Sequence, residues 1–572
     1  MLSAMLDVLI IGGGPHALTL ASLLTNPGCR IPQPSSGVLE GVVFSKSWCK
    51  KGKSKLRGRP SPGHTDELLE TLDLPPCPQL QLKVVDTYGQ WTTLWEKQFA
   101  ALNIPHLRSH TLVHTDPLNK KALQEFVLKH ERTNELHTLK EQTYIQDENA
   151  FFNDNRLGKK DKKKLTSNST LRKSLYFSLP GTKLSVDFFR EQVYRYHLES
   201  VLIKGTVERI MPVVEAQSPP LPADSEGKRA QYFRVVLQSG EVIETKQVVL
   251  ATGPTRAQMA NIPAWVSAIS ESYPEDSLQH TVNLLHGQHP TQQREGEEPG
   301  IKSRVPPSVC RRGERLMVIG GGLTSAHIIS MALQQGASHV TWVMRKHLQL
   351  KQFDVGDVET LIGRYSHIEH GIKLDGLAYL RQFYNERSLH KRLAMIHQAR
   401  KGGAVTPEAY AQLQPYIGSR HLTVKTYCQV SEAKWSYRNQ AWDVSVNTSE
   451  RWSGDRIWLA TGCKLDVNQD PLLSEVMREF PIQVLDGWPS VSENLQWSPG
   501  CALYLMGQYA ALQIGPHSVN LAGGQAASAR IARDILNKHS EVGGGQAAPD
   551  GQAAGKSRTQ EYIQQMHGLM WL

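Results

Sequence analysis

Only seven cysteines occur in 572 residues, and no two of them form a C-x-x-C pair. Cys29, Cys49, Cys77, Cys310, Cys428, Cys463 and Cys501 are scattered, which excludes a zinc ribbon and a redox disulfide of the thioredoxin-reductase type and fits reduced thiols. Long apolar runs are missing too: no stretch reaches the ~18 uninterrupted apolar residues of a membrane-spanning helix. The first apolar run starts near Leu6 and leaves no space for a presequence ahead of it, so a cytoplasmic protein without a membrane partner is expected. Acids are absent from one basic segment and nearly so from another. Residues 46–59 hold seven basic residues and no acid, and residues 156–173 hold eight with Asp161 as the one acid. The two segments account for the net charge of +10 and leave the rest of the chain mildly acidic at −4. They read as solvated loops, with nuclear import or weak binding of a polyanion as the functional alternatives. No Ser-His-Asp set or carboxylate pair is legible.

What is present in quantity is glycine at strand ends. Val8, Leu9, Ile10 and Ile11 run into Gly12, Gly13 and Gly14, and Pro15, Ala17, Leu18, Leu20 and Ala21 then follow at helical spacing. This is the start of a βαβ unit: Gly12 for a sharp turn, Gly14 where a pyrophosphate approaches, Ala17 for close helix–strand packing. The pattern returns. Leu316, Met317, Val318 and Ile319 enter Gly320, Gly321 and Gly322, with Ser325 in the small third position and a strand over 339–344 ending at Arg345 and Lys346. A cation at that strand end, where NAD-specific proteins keep an acid, is the signature of a ribose 2′-phosphate and hence of NADPH. In the first unit the acid is displaced by an insert of about 50 residues, across which loop closure is cheap. The strand 80–85 then delivers Asp86 as the carboxylate for a ribose hydroxyl.

Further along, Trp91 and Trp95 would share one face of a helix, to cover a flavin or substrate or to pack in the core, with Arg108 beyond them to meet a phosphate, a flavin carbonyl or a substrate carboxylate, or to form a surface ion pair. His106, His110 and His114 have the spacing of zinc ligands on a helix. Pro105, Pro117 and the β-branched residues between them oppose that helix, and no metal site is expected. A helix over 184–202, a strand over 206–212 and a hairpin over 232–250 lead into Leu250-Ala251-Thr252-Gly253. Leu459-Ala460-Thr461-Gly462 repeats that strand end, and the final block, 503–508, passes through Gly507 to His517, Asn520 and a last helix.

Two glycine-cornered units and two Leu-Ala-Thr-Gly strand ends, closed by the Gly507 block, resemble the two-dinucleotide-binding-domain flavoproteins from Leu6 to about Lys538. Within that superfamily the chain looks most like the N-hydroxylating flavin monooxygenases, the lysine and ornithine hydroxylase group. The supporting features are Trp91/Trp95, the missing redox cysteines, the long insert after Arg345 and Phe353-Asp354. More distantly it is similar to the oxidative-stress-induced growth inhibitor family, which shares the double fingerprint and the Tyr504-to-Gly507 ending. The resemblance implies an α/β fold of two Rossmann-like domains, one for FAD and one for NAD(P), with central parallel sheets and three-stranded antiparallel additions. It implies an FAD domain in 1–255 (basic inserts near 35–80 and 153–175), a linker in 256–310 and an NADPH domain in 311–458 with a helical insert near 355–416. The rest of the FAD domain falls in 459–540 and a flexible tail in 541–572. Gly12, Gly14, Pro15, Ala17, Asp86, Trp91, Trp95, Gly253, Gly507 and Asn520 would then hold FAD, and Gly320, Gly322, Ser325, Arg345 and Lys346 NADPH. Arg108 and His517 are the candidate catalytic groups. The implied reaction is monooxygenation: NADPH reduces FAD, O2 gives a C4a-hydroperoxyflavin, and one oxygen passes to a nucleophilic, amine-like small molecule. The alternatives are an NADPH oxidase-like or redox-sensing flavoprotein, or a regulatory protein of growth or stress response that keeps the fold. An oligomer is compatible with all three.

Overall fold

The computed structural model describes residues 5–26, 80–138, 178–214, 228–253, 259–286, 309–356, 366–369, 372–400 and 403–543. The basic segments 46–59 and 156–173 and the glycine-rich tail after 543 lie outside them. Residues up to Asp534 cluster into one compact unit, and those from Ile535 onward into another.

The chain opens with β1 (Leu6–Ile11), whose apolar run is buried on both faces, and α1 (Pro15–Leu24), entered by Pro15 in the first helical position. Pro15 has no N–H to lose there, and its fixed φ suits the first turn. Next come β2 (Leu82–Asp86), α2 (Thr93–Ala101), α3 (Thr182–Arg195), β3 (Leu202–Lys204), β4 (Val207–Val214), β5 (Ala230–Leu237) and β6 (Val242–Leu250). The second half holds β7 (Leu278–His280), β8 (Arg315–Ile319), α4 (Leu323–Gln334), β9 (His339–Val343), α5 (Gly376–Asn385), α6 (Leu389–Ala399), α7 (Pro407–Gly418) and β10 (Leu422–Lys425). It ends with β11 (Val430–Ser436), β12 (Ala441–Val446), β13 (Arg451–Gly454), β14 (Arg456–Leu459), β15 (Gln496–Ser498), β16 (Cys501–Leu505) and α8 (Leu521–Gly543).

Two sheets carry the architecture. The first has the order β15-β16-β6-β1-β2-β3, parallel except for β15, with β5 and β4 added antiparallel on β6. The nine-residue β6 serves both arrangements: Val242 to Thr245 pair with β5, while Thr245 to Leu250 run parallel to β1. The second sheet, β10-β9-β8-β14-β7, is wholly parallel, and β11-β12-β13 form a separate antiparallel sheet. Strands buried on both faces need continuous apolar runs, which is why Leu9, Ile10, Val84, Val249, Met317, Val318 and Trp458 are each fully buried. Each such side chain contributes about 1.5–3 kcal/mol relative to leaving it exposed.

Three expectations change. The stretch 256–310, read as linker, contributes β7, the edge strand of the second sheet, because Leu278, Gln279 and His280 pair with Ile457, Trp458 and Leu459. The helical insert 355–416 is only partly an insert: α7 is the crossover between β9 and β10, and its Ala409 and Leu413 lie in one core with Ile328 and Ala332 of α4. Its other helices, α5 and α6, pack Phe383 and Ile396 on Trp488, Ala511 and Leu512. Residues 106–114 do not form a helix, so their three histidines part: His106 stacks on His137, His110 meets the edge of Phe353 and His114 that of Phe188.

Candidate functional site

The two glycine turns are built alike. Gly12 (φ 104°) and Gly320 (φ 139°) both sit in the left-handed region, where an L side chain is strained. Their N–H groups donate to Val85 and Val343 on the neighbouring strands, at 2.8 and 2.9 Å. The repeated Leu-Ala-Thr-Gly segments explain themselves here. Ala251 N–H donates to Ile11 and Ala460 N–H to Ile319, both at 2.8 Å, which lays each alanine carbonyl on the turn glycine. A Cβ on Gly12 would come within 2.6 Å of the Ala251 oxygen, and one on Gly320 would overlap Ala460. Ala17 and Ser325, the small third positions, are fully buried under their turns, and the Ser325 hydroxyl has no partner among the described residues.

At the first turn Asp86, the last residue of β2, faces the glycine loop. Its carboxylate accepts the Gly13 N–H at 2.9 Å and the Tyr88 N–H at 2.8 Å, and so holds the glycine loop as well. A cavity of about 320 Å3 opens over this turn, lined by Gly12, Gly13, Gly14, Asp86, Trp95, Gly253, Gly507 and Asn520. A Cβ on Gly14, Gly253 or Gly507 would meet nothing within 4 Å. Among the described residues nothing fills this side of the turn, and the Gly12–Gly14 backbone with the Asp86 carboxylate fits the pyrophosphate and ribose of FAD.

Trp91 and Trp95 do not share a helical face. Thr92 between them is left-handed (φ 57°) and buried, its N–H donating to the Gly13 carbonyl at 2.7 Å, and α2 starts only after it. Trp91 turns away to donate to the Leu198 carbonyl at 3.2 Å, while Trp95 stacks on Phe99 with ring centroids 3.8 Å apart and stays on the cavity wall. Thr92, Gln98, Phe99, Leu107 and Met506 also line it, and sequence spacing did not single them out. For Phe99 a signal existed, four residues after Trp95 on the same helix.

A second cavity of about 250 Å3 shares Gln98, Phe99, Leu107 and Arg108 with the first and reaches Leu323, Thr324 and His327 on α4 and Thr406, Glu408 and Ala409 at the start of α7. Arg108 is the partition. Its Nε donates to the Gln352 carbonyl at 2.6 Å, and its two terminal nitrogens grip Asp354 at 2.9 and 3.1 Å. Burial alone would raise the Asp354 pKa, but Arg108, and after it Lys351 and Arg400, hold the carboxyl well below the usual carboxylate range. Asn520 donates to the same carboxylate at 3.4 Å, so three stretches of the chain far apart in sequence meet on Asp354. Arg108 thus reaches the cavities as the cation of an ion pair.

His517 lines neither cavity. It is fully buried, both ring nitrogens lack a partner among the described residues, and a Cβ on Gly356 would overlap the ring. Burial, and after it Arg400 and Arg530, push its pKa down to about 3, so the ring is neutral and sealed off from substrate. Burial also brings His327 to about 4, with His106 adding to it, and His106 to about 4, with His137 adding to it. The two imidazoles on the second cavity are neutral as well.

At the second turn a Cβ on Gly322 would meet no described residue within 4 Å. Gly403 packs on the Gly321–Gly322 peptide, and a Cβ on it would lie 2.5 Å from the Gly322 nitrogen. The register pairs Ile11 with Val85 and Ile319 with Val343, so Met344 occupies the place of Asp86. Arg345 and Lys346 follow one and two residues later, both exposed.

No family model and no curated protein matches the chain. Among solved structures, the ornithine hydroxylase of Pseudomonas aeruginosa matches with a TM-score of 0.54 at 14% identity, over 94% of this chain and 100% of that one. Its reduced form matches with a TM-score of 0.55 at 14% identity and the same coverage. The chain thus shares the fold of these structures, a mixed α/β fold with Rossmann-like parallel sheets. Among the described residues no helix is long and apolar enough to cross a membrane.

Proposed function

We propose that the protein is an FAD-dependent oxidoreductase that draws reducing equivalents from NADPH and transfers one oxygen atom of O2 to a small nucleophilic, amine-like molecule. The observation that carries this reading is the pair of cavities meeting at Gln98, Phe99, Leu107 and Arg108, one over the first glycine turn and one against the first turn of α4. In this reading residues 1–255 and 459–540 hold FAD, through Gly12, Gly14, Pro15, Ala17, Asp86, Trp95, Gly253, Gly507 and Asn520. Residues 311–458 hold NADPH, through Gly320, Gly322, Ser325, Arg345 and Lys346. The flavin supplies the hydride and oxygen chemistry when bound. The chain's own part is placement and exclusion of water: Phe99, Leu107, Leu179 and Leu323 supply an apolar wall, and Arg108, neutralised by Asp354, keeps a fixed dipole on the boundary between the cavities.

The sealed, neutral His517 and the paired Arg108 favour a second reading, an NADPH oxidase-like or redox-sensing flavoprotein in which no side chain manages substrate protons. One experiment separates the readings. Purified protein is titrated with NADPH without air while flavin absorbance is followed, then exposed to O2 with candidate amines. Bleaching followed by substrate-dependent oxygen uptake with little hydrogen peroxide supports the monooxygenase. Bleaching with stoichiometric peroxide regardless of amine supports the oxidase, and a flavin that NADPH leaves unbleached removes both.

A further inference from the structure

The carboxyl ends of β9 and β10 carry an aromatic residue in an unusual state. Tyr427 is 62% exposed and adopts φ 54°, a left-handed conformation that a bulky residue seldom holds without tertiary support. The support comes from Asn447: its Nδ2 donates to the Tyr427 carbonyl at 3.3 Å and its Oδ1 accepts the Gln429 N–H at 2.9 Å. A neighbouring strand connection is thereby spent on holding an apolar ring in water. The next residues, Cys428 and Val430, enter the core with Trp435 and Trp442, while the Tyr427 ring stays outside it.

The place is specific. Val343 of β9 pairs with Lys425 of β10, Met344 N–H donates to the Lys425 carbonyl at 2.9 Å and Cys428 N–H to the Met344 carbonyl at 3.0 Å. Tyr427 therefore lies beside the chain segment that carries Arg345 and Lys346, and its hydroxyl is 3.2 Å from His347 Nδ1. In open parallel sheets, ligands bind outside the carboxyl ends of the strands, and the adenosine half of a dinucleotide is the part that reaches past the strand next to the glycine turn. Met344 fills the position of Asp86, so no carboxylate stands there to repel a phosphate.

We propose that Tyr427 and Arg345 form a clamp for an adenosine 2′-phosphate, the tyrosine ring stacking on the purine while Arg345, with Lys346 beside it, takes the phosphate. This rests on the NADPH reading above and adds the residue that would bind the base. Purines stack on exposed aromatic faces whatever their substituents, and guanidinium pairs with phosphate through charge-assisted hydrogen bonds. The two residues therefore read different parts of the ligand and give different signatures.

Calorimetric titration of the full-length protein with adenosine 2′,5′-bisphosphate and with 5′-AMP reads the clamp without any turnover. Tyr427→Ala should weaken both probes by about tenfold, the loss of one base stack, while Tyr427→Phe keeps the ring and binds within about twofold of the unaltered protein. Arg345→Ala should weaken the bisphosphate by about tenfold and leave 5′-AMP unchanged, since only one probe carries the 2′-phosphate. Equal affinity of Tyr427→Ala and the unaltered protein for the bisphosphate overturns the clamp while leaving the NADPH reading standing. If the unaltered protein binds neither the bisphosphate nor NADPH, both fall together.

Discussion

At the scale of single residues, two glycines two positions apart have opposite reasons to be glycine. Gly12 is internal: its φ of 104° and the 2.6 Å from a would-be Cβ to the Ala251 oxygen mean that any side chain distorts the turn. Gly14 is external, with φ −77° and no protein within 4 Å of the missing Cβ. Gly12→Ala should lower the unfolding midpoint, costing about 1–3 kcal/mol. Gly14→Val should fold normally yet purify colourless. The ratio of flavin to protein absorbance, set beside a urea melt, checks both, and a yellow, fully loaded Gly14→Val protein would show that no pyrophosphate approaches there. Both glycines were legible in the sequence. Their separate roles, a turn at Gly12 and an approach for phosphate at Gly14, were read there too; what the fold adds is the Ala251 carbonyl that a side chain at Gly12 would strike.

At the scale of elements, α5 and α6 tie the second half of the chain to residues 512–516. Tyr384 donates to the Ile514 carbonyl at 2.8 Å, Arg392 to Gln513 Oε1 at 2.9 Å, and Arg400 Nε to the Pro516 carbonyl at 2.8 Å. Phe383 is fully buried beside Leu512 and Trp488. Deleting that ring with Phe383→Ala should cost about 3–5 kcal/mol, whereas Tyr384→Phe, which removes one hydrogen bond, should cost about 1 kcal/mol. Denaturant melts of the two variants give the ordering directly. Equal losses would mean that the helices are held by polar contacts and not by packing. The sequence marked this region as helical and charged, but α7, which looks the same in sequence, belongs to the sheet crossover. Helical periodicity reports which face is apolar, not which partner covers it.

At the scale of the molecule, buried imidazoles set the acid limit. His110 and His517 are both fully buried, with pKa values pushed down to about 3, by burial first and then by His114 for His110 and by Arg400 and Arg530 for His517. An unfolded histidine takes up its proton near pH 6.5, so the contribution of each neutral ring is complete above that pH. It erodes as the pH falls toward the folded value. At pH 5 each has given up about 2 kcal/mol, and the unfolding midpoint should fall steadily between pH 7 and pH 5. His517→Asn should flatten that slope whatever it does to stability at pH 7. Parallel slopes for the two proteins would contradict a neutral His517.

Where glycine turns, strand ends and the displaced Asp86 lie was determined by the sequence alone, because each is set by the chemistry of one residue or by an apolar run a few residues long. Asp86 could be identified as an acid that ends a strand even across an insert of some fifty residues, since strand pairing does not depend on what lies between. The tertiary structure decided everything that needs two distant stretches at once. It made Arg108 the partner of Asp354, closed the core over His517, separated Trp91 from Trp95 through the left-handed Thr92, and turned an apparent linker into the edge strand β7. A charged or aromatic side chain reads the same in sequence whether it faces a ligand, an ion partner or the core. Only the fold supplies the neighbour that settles which.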